Sequence, residues 1–254
     1  LLAVDFSADY ASKPGILQDI RFEMAPGEIL GVIGRSGSGK STIALAIPRL
    51  LELRGGTVRG RIRFGGRDLM AAGGKELRQV RGKEIGLVLQ SPMSALNPAL
   101  RMETQFREAW RAHSSDAWQS GKKHARDLLE RMGLPAGEDF LRRYPRQLSV
   151  GQAQRVAIGM AVLHGPKLLI ADEPTSALDP ATGAEILELF RGLNRQYGMA
   201  LLYVSHDLQS VASLCHSVAV INEGRLVEWG PAGRVMPRAS GDRVESSHRD
   251  LVEA

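Results

Sequence analysis

The sequence predicts an α/β fold: a largely parallel sheet with flanking helices, an antiparallel β-subdomain at the N-terminal end, and an inserted helical subdomain over about 91–165. Three observations carry this. In the last third, apolar runs alternate with helical stretches: "KLLIADE", a helix around Ala181 to Tyr197, "ALLYVSH", a short helix, then "SVAVINEG". Such alternation reads as parallel strands joined by crossover helices. Near the start, Ile16 to Met24 and Glu28 to Ile33 read as short strands separated by "PGE", and "GRIRFGGRDL" alternates apolar and polar residues before a Gly-Gly turn. Between Ser91 and about Gly165 no strand signal stands out, while "METQFREAWRAH" and "SGKKHARDLLERMGL" have helical spacing.

The elements follow in order. The strand ending at Ile33 leads through a glycine-rich loop into a helix of about a dozen residues that runs to Leu51. "IGLVLQ" (85–90) is a short apolar run, expected as a buried strand. After the helical segment the strand–helix alternation resumes, and from about Met236 the chain turns polar with little apolar periodicity. One domain over 1–235 with a polar tail over 236–254 is the expected organisation.

Composition sets the class. The 254 residues are 43% hydrophobic and 24% charged, ordinary for a globular protein. No window of about 18 apolar residues appears, so no membrane span is expected. "LLAVDFSADY" lacks the basic lead and cleavage site of a signal peptide, and without an initiator Met further residues are expected before Leu1. The single cysteine, Cys215, leaves no internal disulfide and suits a reducing compartment. The net charge of +5 is dispersed and aromatics are only 5%, too few for base-stacking platforms, so no nucleic-acid partner is expected.

"GVIGRSGSGKST" contains Gly34-x-x-x-x-Gly39-Lys40-Ser41 between an apolar strand and a helix, the context that a phosphate-binding P-loop requires. Glycines let successive backbone N–H groups point inward at an anion, and the helix start adds its positive end. Lys40 can reach the β- and γ-phosphates and the Ser41 hydroxyl can ligate Mg²⁺. The loop residues Gly34, Arg35, Ser36, Gly37, Ser38, Gly39, Lys40, Ser41 and Thr42 are therefore candidates for nucleotide binding. "LLIADE" then places Asp172 and Glu173 at the C-terminal end of a buried strand, the edge where open α/β sheets hold ligands. Asp172 would hold Mg²⁺ through water, and Glu173 would polarise the water that attacks the γ-phosphate. Adjacent strand side chains point opposite ways, which suits two roles. Together these predict a P-loop NTPase core.

With five further motifs in order, the chain resembles the ATP-binding subunit of an ABC transporter from Tyr10 to about Gly230. The resemblance implies that Tyr10 stacks on adenine, and that Gln90 in "LVLQSPMSALNP" senses Mg²⁺ and the γ-phosphate. It implies that "LSVGQ" (148–152) is the signature motif, that "SALD" (176–179) with Asp179 is the D-loop, and that His206 in "VSHDL" is the switch histidine. Such subunits pair head to tail, so Ser149, Gly151 and Gln152 would face an ATP held by a second ATP-binding subunit, as a homo- or heterodimer. Val150 stands where the family commonly has glycine. A left-handed backbone there would make valine costly, whereas a helical one makes it nearly neutral. The remaining histidines (His113, His124, His164, His216, His248) show no metal-ligand spacing and read as solvated or structural.

"SPMSALNP" together with "RRYPRQLS" resembles the dipeptide, oligopeptide and nickel importer branch. That implies ATP and Mg²⁺ as cofactors, integral membrane permease subunits that engage the helical lobe, a solute-binding protein as an indirect partner, and a peripheral place on the cytoplasmic face of the inner membrane. Oligopeptide members often carry a C-terminal extension with an "HPYT"-like motif and cysteines. Neither stands in this sequence, which leaves nickel or metal chelates, dipeptides and other small solutes open. Two other readings compete: a soluble ABC-type ATPase acting on a non-transport partner, and a module that closes on ATP but hardly turns over.

Overall fold

The computed structural model describes residues 1–10 and 13–236. In chain order its elements are β1 (Leu2–Tyr10), β2 (Lys13–Met24), β3 (Ile29–Ile33), α1 (Lys40–Ala46), β4 (Gly56–Phe64), β5 (Arg67–Asp68), α2 (Gly74–Val80), β6 (Ile85–Val88), α3 (Pro92–Ala95) and α4 (Met102–Arg111). There follow α5 (Trp118–Arg131), α6 (Glu138–Leu141), α7 (Val150–Ala161), β7 (Leu168–Asp172), α8 (Pro180–Tyr197), β8 (Ala200–Val204), α9 (Leu208–Leu214), β9 (Ser217–Asn222), β10 (Arg225–Pro231) and α10 (Ala232–Val235). They form two compact units: Leu1–Gly73 with the chain from Ala200 onward, and Gly74–Met199. The expected tail falls outside the described residues from 237 onward.

In the first unit the strand order is β5-β4-β1-β2-β10-β9-β3-β8. β1 pairs antiparallel with β2 and β4, while β3 runs parallel to both β8 and β9. β1 was not among the strands expected from sequence, although Leu2, Val4, Phe6 and Ala8 alternate and all are buried. Their cross-strand partners Phe22, Met24, Ile62 and Phe64 are buried too, so one face of this antiparallel sheet forms a dry layer. Phe6 pairs with Ile20 and Ala8 with Leu17, so one extra residue is accommodated in β2. Asp19 absorbs it at φ 51, and its N–H donates to the Ser7 hydroxyl at 3.0 Å.

The helix after the glycine-rich loop is shorter than expected. α1 ends at Ala46, and Arg49 turns left-handed at φ 59. Pro48 explains the stop, because it has no N–H to continue the helix and crowds the preceding turn. The Cys215 thiol is pushed up to about 12 by burial, as befits a packing residue.

In the second unit β6 and β7 are parallel neighbours, with α7 packed on β6. Between β6 and β7 every described element is helical. α8 shows why local signals sufficed for its placement: Asp179 caps its start, Pro180 opens it, and Gly198 ends it at φ 60. Among the described residues no helix is long and apolar enough to cross a membrane.

Candidate nucleotide site

In the first unit β3 lies between two parallel neighbours, so the loop that follows it opens at the C-terminal edge of the sheet. Glycine is required at two points of that loop. A Cβ on Gly34 would lie 2.1 Å from the carbonyl oxygen of Ile221. Gly39, at φ 103, would drive a Cβ to 2.5 Å from the Leu17 side chain. The path they allow folds Lys40 back over the loop, where its Nζ donates to the carbonyls of Gly34 (2.8 Å) and Arg35 (2.9 Å). Lys40 is only 5% exposed. The buried Ser38 hydroxyl oxygen has no hydrogen-bond partner. A buried ammonium and an unsatisfied hydroxyl beneath the exposed Arg35, Ser36 and Gly37 fit an anion rich in acceptor oxygens. Ser41 is exposed and Thr42 buried, on successive residues of α1.

His206 follows β8, the parallel neighbour of β3, and so shares the sheet edge with this loop. It is exposed, and the residues on either side are fixed: Ser205 N–H donates to Val32 O at 3.2 Å, and Asp207 N–H to the Ser205 hydroxyl at 3.0 Å. The Asp207 carboxylate accepts from the N–H groups of Gln209 and Ser210, and so serves as the α9 cap. Tyr10 ends β1 opposite Gly56 of β4 and is half-buried.

In the second unit the parallel strands β6 and β7 bring Gln90, Asp172 and Glu173 to one sheet edge. Asp172 is the last residue of β7 and is buried. Glu173 has already left the strand: its φ of 46 turns the chain left-handed, a conformation that costs a non-glycine residue about 1–3 kcal/mol. The separation of the two carboxylates thus comes from a sharp turn and not from strand alternation. Ser176 holds that turn, donating its N–H (3.3 Å) and hydroxyl (3.0 Å) to the Glu173 carbonyl. Gln90 Nε2 donates to Glu173 Oε2 at 3.0 Å.

The same unit brings together 149–152 and 177–179, from the segments expected as signature motif and D-loop. Ser149 caps α7 in a reciprocal box with Gln152: its Oγ accepts from Gln152 N–H, and Gln152 Oε1 accepts from Ser149 N–H, both at 3.2 Å. Val150 is the first helical residue and keeps a negative φ, so the backbone there does not require glycine. Gly151 does need its small size, because a Cβ would lie 2.9 Å from Thr182 Cγ2 on α8. Asp179 accepts from Thr182 N–H (3.0 Å) and Oγ1 (2.7 Å), and these bonds hold its carboxyl below the usual range. A cleft of about 680 Å³ is lined by Ser149, Val150, Gly151, Gln152, Asp179 and Thr182, among others. Thr182 escaped sequence reading, although its place three residues after the capping Asp179 was a usable signal.

Three of the histidines expected to be solvated or structural pack in one cluster with Trp110. The Trp110 ring packs against His124 (centroids 5.8 Å apart) and His164 (5.5 Å), and His113 meets His164 edge-on at 5.2 Å. His124 and His164 contact the Leu163 and Ala109 carbonyls, each at 3.0 Å. No cluster of three or more His, Cys, Asp or Glu side chains that could hold a metal ion occurs among the described residues. His216 Nδ1 accepts from Ile29 N–H, a structural bond, and His248 lies outside the described residues.

Residues 17–176 match the family model described as ABC transporter. The oligopeptide transport ATP-binding protein OppD of Bacillus subtilis is 40% identical over an alignment of 264 positions, covering 100% of this chain and 74% of the relative. The dipeptide transport ATP-binding protein DppD of Escherichia coli is 41% identical over 234 residues, 92% of this chain and 72% of the relative. Among solved structures, the dimeric ATP-binding cassette MJ0796 bound to ADP and Pi superposes with a TM-score of 0.79 at 26% identity, covering 91% of this chain and 98% of that one. CbiO1 of Clostridium perfringens, part of the transporter complex cbiONQ, gives 0.78 at 28% identity, with 92% of this chain and 89% of that one covered. The phosphate loop, the paired sheet-edge carboxylates and the capped signature helix therefore stand in a chain that belongs to the ABC transporter family, as one of its ATP-binding and ATP-hydrolysing subunits.

Proposed function

We propose that this subunit powers the import of peptides through a membrane permease with which it assembles, working as a pair with a second ATP-binding subunit. The observation that carries the nucleotide chemistry is the Lys40 ammonium held over a loop whose buried Ser38 hydroxyl lacks a partner. Peptides are preferred to nickel or metal chelates because OppD and DppD are peptide-transport proteins by name. The peripheral position on the cytoplasmic face of the inner membrane belongs to the same proposal. So does the single nucleotide-binding domain over 1–235 with its helical subdomain over about 91–165.

The site residues divide the work. Gly34 to Thr42 cradle the triphosphate, with Lys40 neutralising its β- and γ-oxygens, and Tyr10 stacks on the adenine. Ser41, Gln90 and Asp172 each offer a hard oxygen donor of the kind Mg²⁺ takes, and each is a candidate to hold it. When bound, Mg²⁺ supplies charge neutralisation on the β- and γ-phosphoryl oxygens. Glu173 accepts a proton from the attacking water, oriented meanwhile by Gln90, and His206 contacts the γ-phosphate. Ser149 uses its oxygen to accept from Gln152 N–H, which leaves the hydroxyl proton to donate to a phosphate held by the second subunit. Gly151, Gln152 and Asp179 line the same face.

Affinity purification from membranes through a tag on this chain, with mass spectrometry of the co-purifying proteins, tests the proposal. Two integral membrane proteins and ATP-dependent peptide uptake after reconstitution are expected. Recovery of soluble partners alone would overturn the import reading in favour of an ATPase serving a non-transport complex.

A further inference from the structure

Three helices of the second unit meet on one guanidinium. Arg155 lies one turn beyond Gly151 on α7, and its side chain is 16% exposed. Its Nη1 donates to the carbonyl of Met132, the C-terminal cap of α5, at 2.7 Å. Its Nη2 donates to Glu185 Oε2 on α8, one turn beyond Thr182. α7 and α8 are thus tied at two levels: Gly151 against Thr182 at their first turns, and Arg155 to Glu185 at the next. Both members of the ion pair also line the cleft that contains Ser149 and Asp179.

The Met132 bond alone has a local explanation, since a helix C-terminus leaves carbonyls unpaired and arginine is suited to fill one. The Glu185 bond has none of that kind. Its side chain is 65% exposed, so the pair adds little to folding stability, and what it fixes is the placement of α7 relative to α8. A guanidinium offers several coplanar donors and can serve a carbonyl and a carboxylate together; an ammonium is a single point charge on a flexible stem.

We propose that Arg155 and Glu185 are positioning residues for ATP hydrolysis: they hold the signature serine Ser149 and the D-loop Asp179 at the separation that the γ-phosphate site requires. The inference rests on the reading of Ser149 as a phosphate ligand across the subunit pair.

The full-length chain is assayed as Glu185→Ala, Glu185→Gln, Arg155→Ala and Ser149→Ala, with steady-state ATPase kinetics, titration of a fluorescent ATP analogue and thermal unfolding. Glu185→Ala leaves the Met132 bond in place. It is expected to lower kcat about tenfold, the scale of a sub-ångström misplacement, with KM for ATP and Tm nearly unchanged. Glu185→Gln, which still accepts a hydrogen bond, should recover most of the rate. Arg155→Ala should lower kcat and Tm together. Unchanged kcat in folded Glu185→Ala, or a rise in KM with kcat intact, overturns the positioning role. Undiminished kcat in Ser149→Ala overturns the signature reading instead, so the two failures are distinguishable.

Discussion

Gln90 Nε2 donates to Glu173 Oε2 at 3.0 Å, joining the second residue after β6 to the residue that follows β7. The bond fixes the carboxylate of a residue already held in a left-handed turn, and so aims Glu173 from the sheet edge. Glu173→Gln should retain ATP binding while hydrolysis falls by about 10²–10⁴-fold, the usual contribution of a positioned base. Single-turnover hydrolysis beside equilibrium nucleotide binding checks this, and near-normal turnover would remove Glu173 from the role.

Lys40→Ala should act on affinity. Removing one charge-assisted contact costs about 1.5–3 kcal/mol, so the dissociation constant for ATP should rise between about ten- and 150-fold. Calorimetric or fluorescence titration decides it. Tight binding by the variant would contradict the cradle.

Val150 and Gly151 should respond in opposite ways. Val150 is 44% exposed on a helical backbone, so Val150→Gly should change unfolding free energy by less than about 1 kcal/mol. Gly151→Ala must displace Thr182, whose Cγ2 would lie 2.9 Å from the new Cβ, and the ATPase rate should fall while Val150→Gly keeps it. A rate that survives Gly151→Ala would show that the α7–α8 approach can relax without consequence.

Acid should weaken the fold through His113. Burial holds its imidazole below the ordinary value of 6.5, helped by the nearby His164, Lys83 and Arg78. Above 6.5 both the folded and the unfolded protein carry it neutral, so it makes no difference there. As pH falls through that value the unfolded chain takes up the proton first, and stability drops until the folded value is passed. Tm measured between about pH 5 and 8 should fall on the acid side, and His113→Gln should flatten that limb. Parallel profiles for the two proteins would refute the assignment.

Much of this was legible in the sequence because the signals are local. Gly34, Gly39 and Lys40 fall within one short stretch, and the Asp179–Pro180 start and Gly198 end of α8 are read from neighbouring residues. The Ser149–Gln152 box is equally local. The helix expected to reach Leu51 ends at Ala46, where Pro48 stops α1. β1 was missed although Leu2, Val4, Phe6 and Ala8 alternate.

By itself, the sequence determined the chemistry on offer: a phosphate loop, a pair of carboxylates at a strand end, a capped signature helix, and the order that marks the family. Only the tertiary structure decided what those groups face. Gln90 and Glu173 are 83 residues apart, and Arg155 and Glu185 are 30 apart. Gly151 meets Thr182, and His124 and His164, from separate segments, close on Trp110. Caps, glycines and proline act through the torsions of a few neighbouring residues and so can be read along the chain. Contacts between distant segments exist only once helices and strands pack, and no short-range preference specifies them.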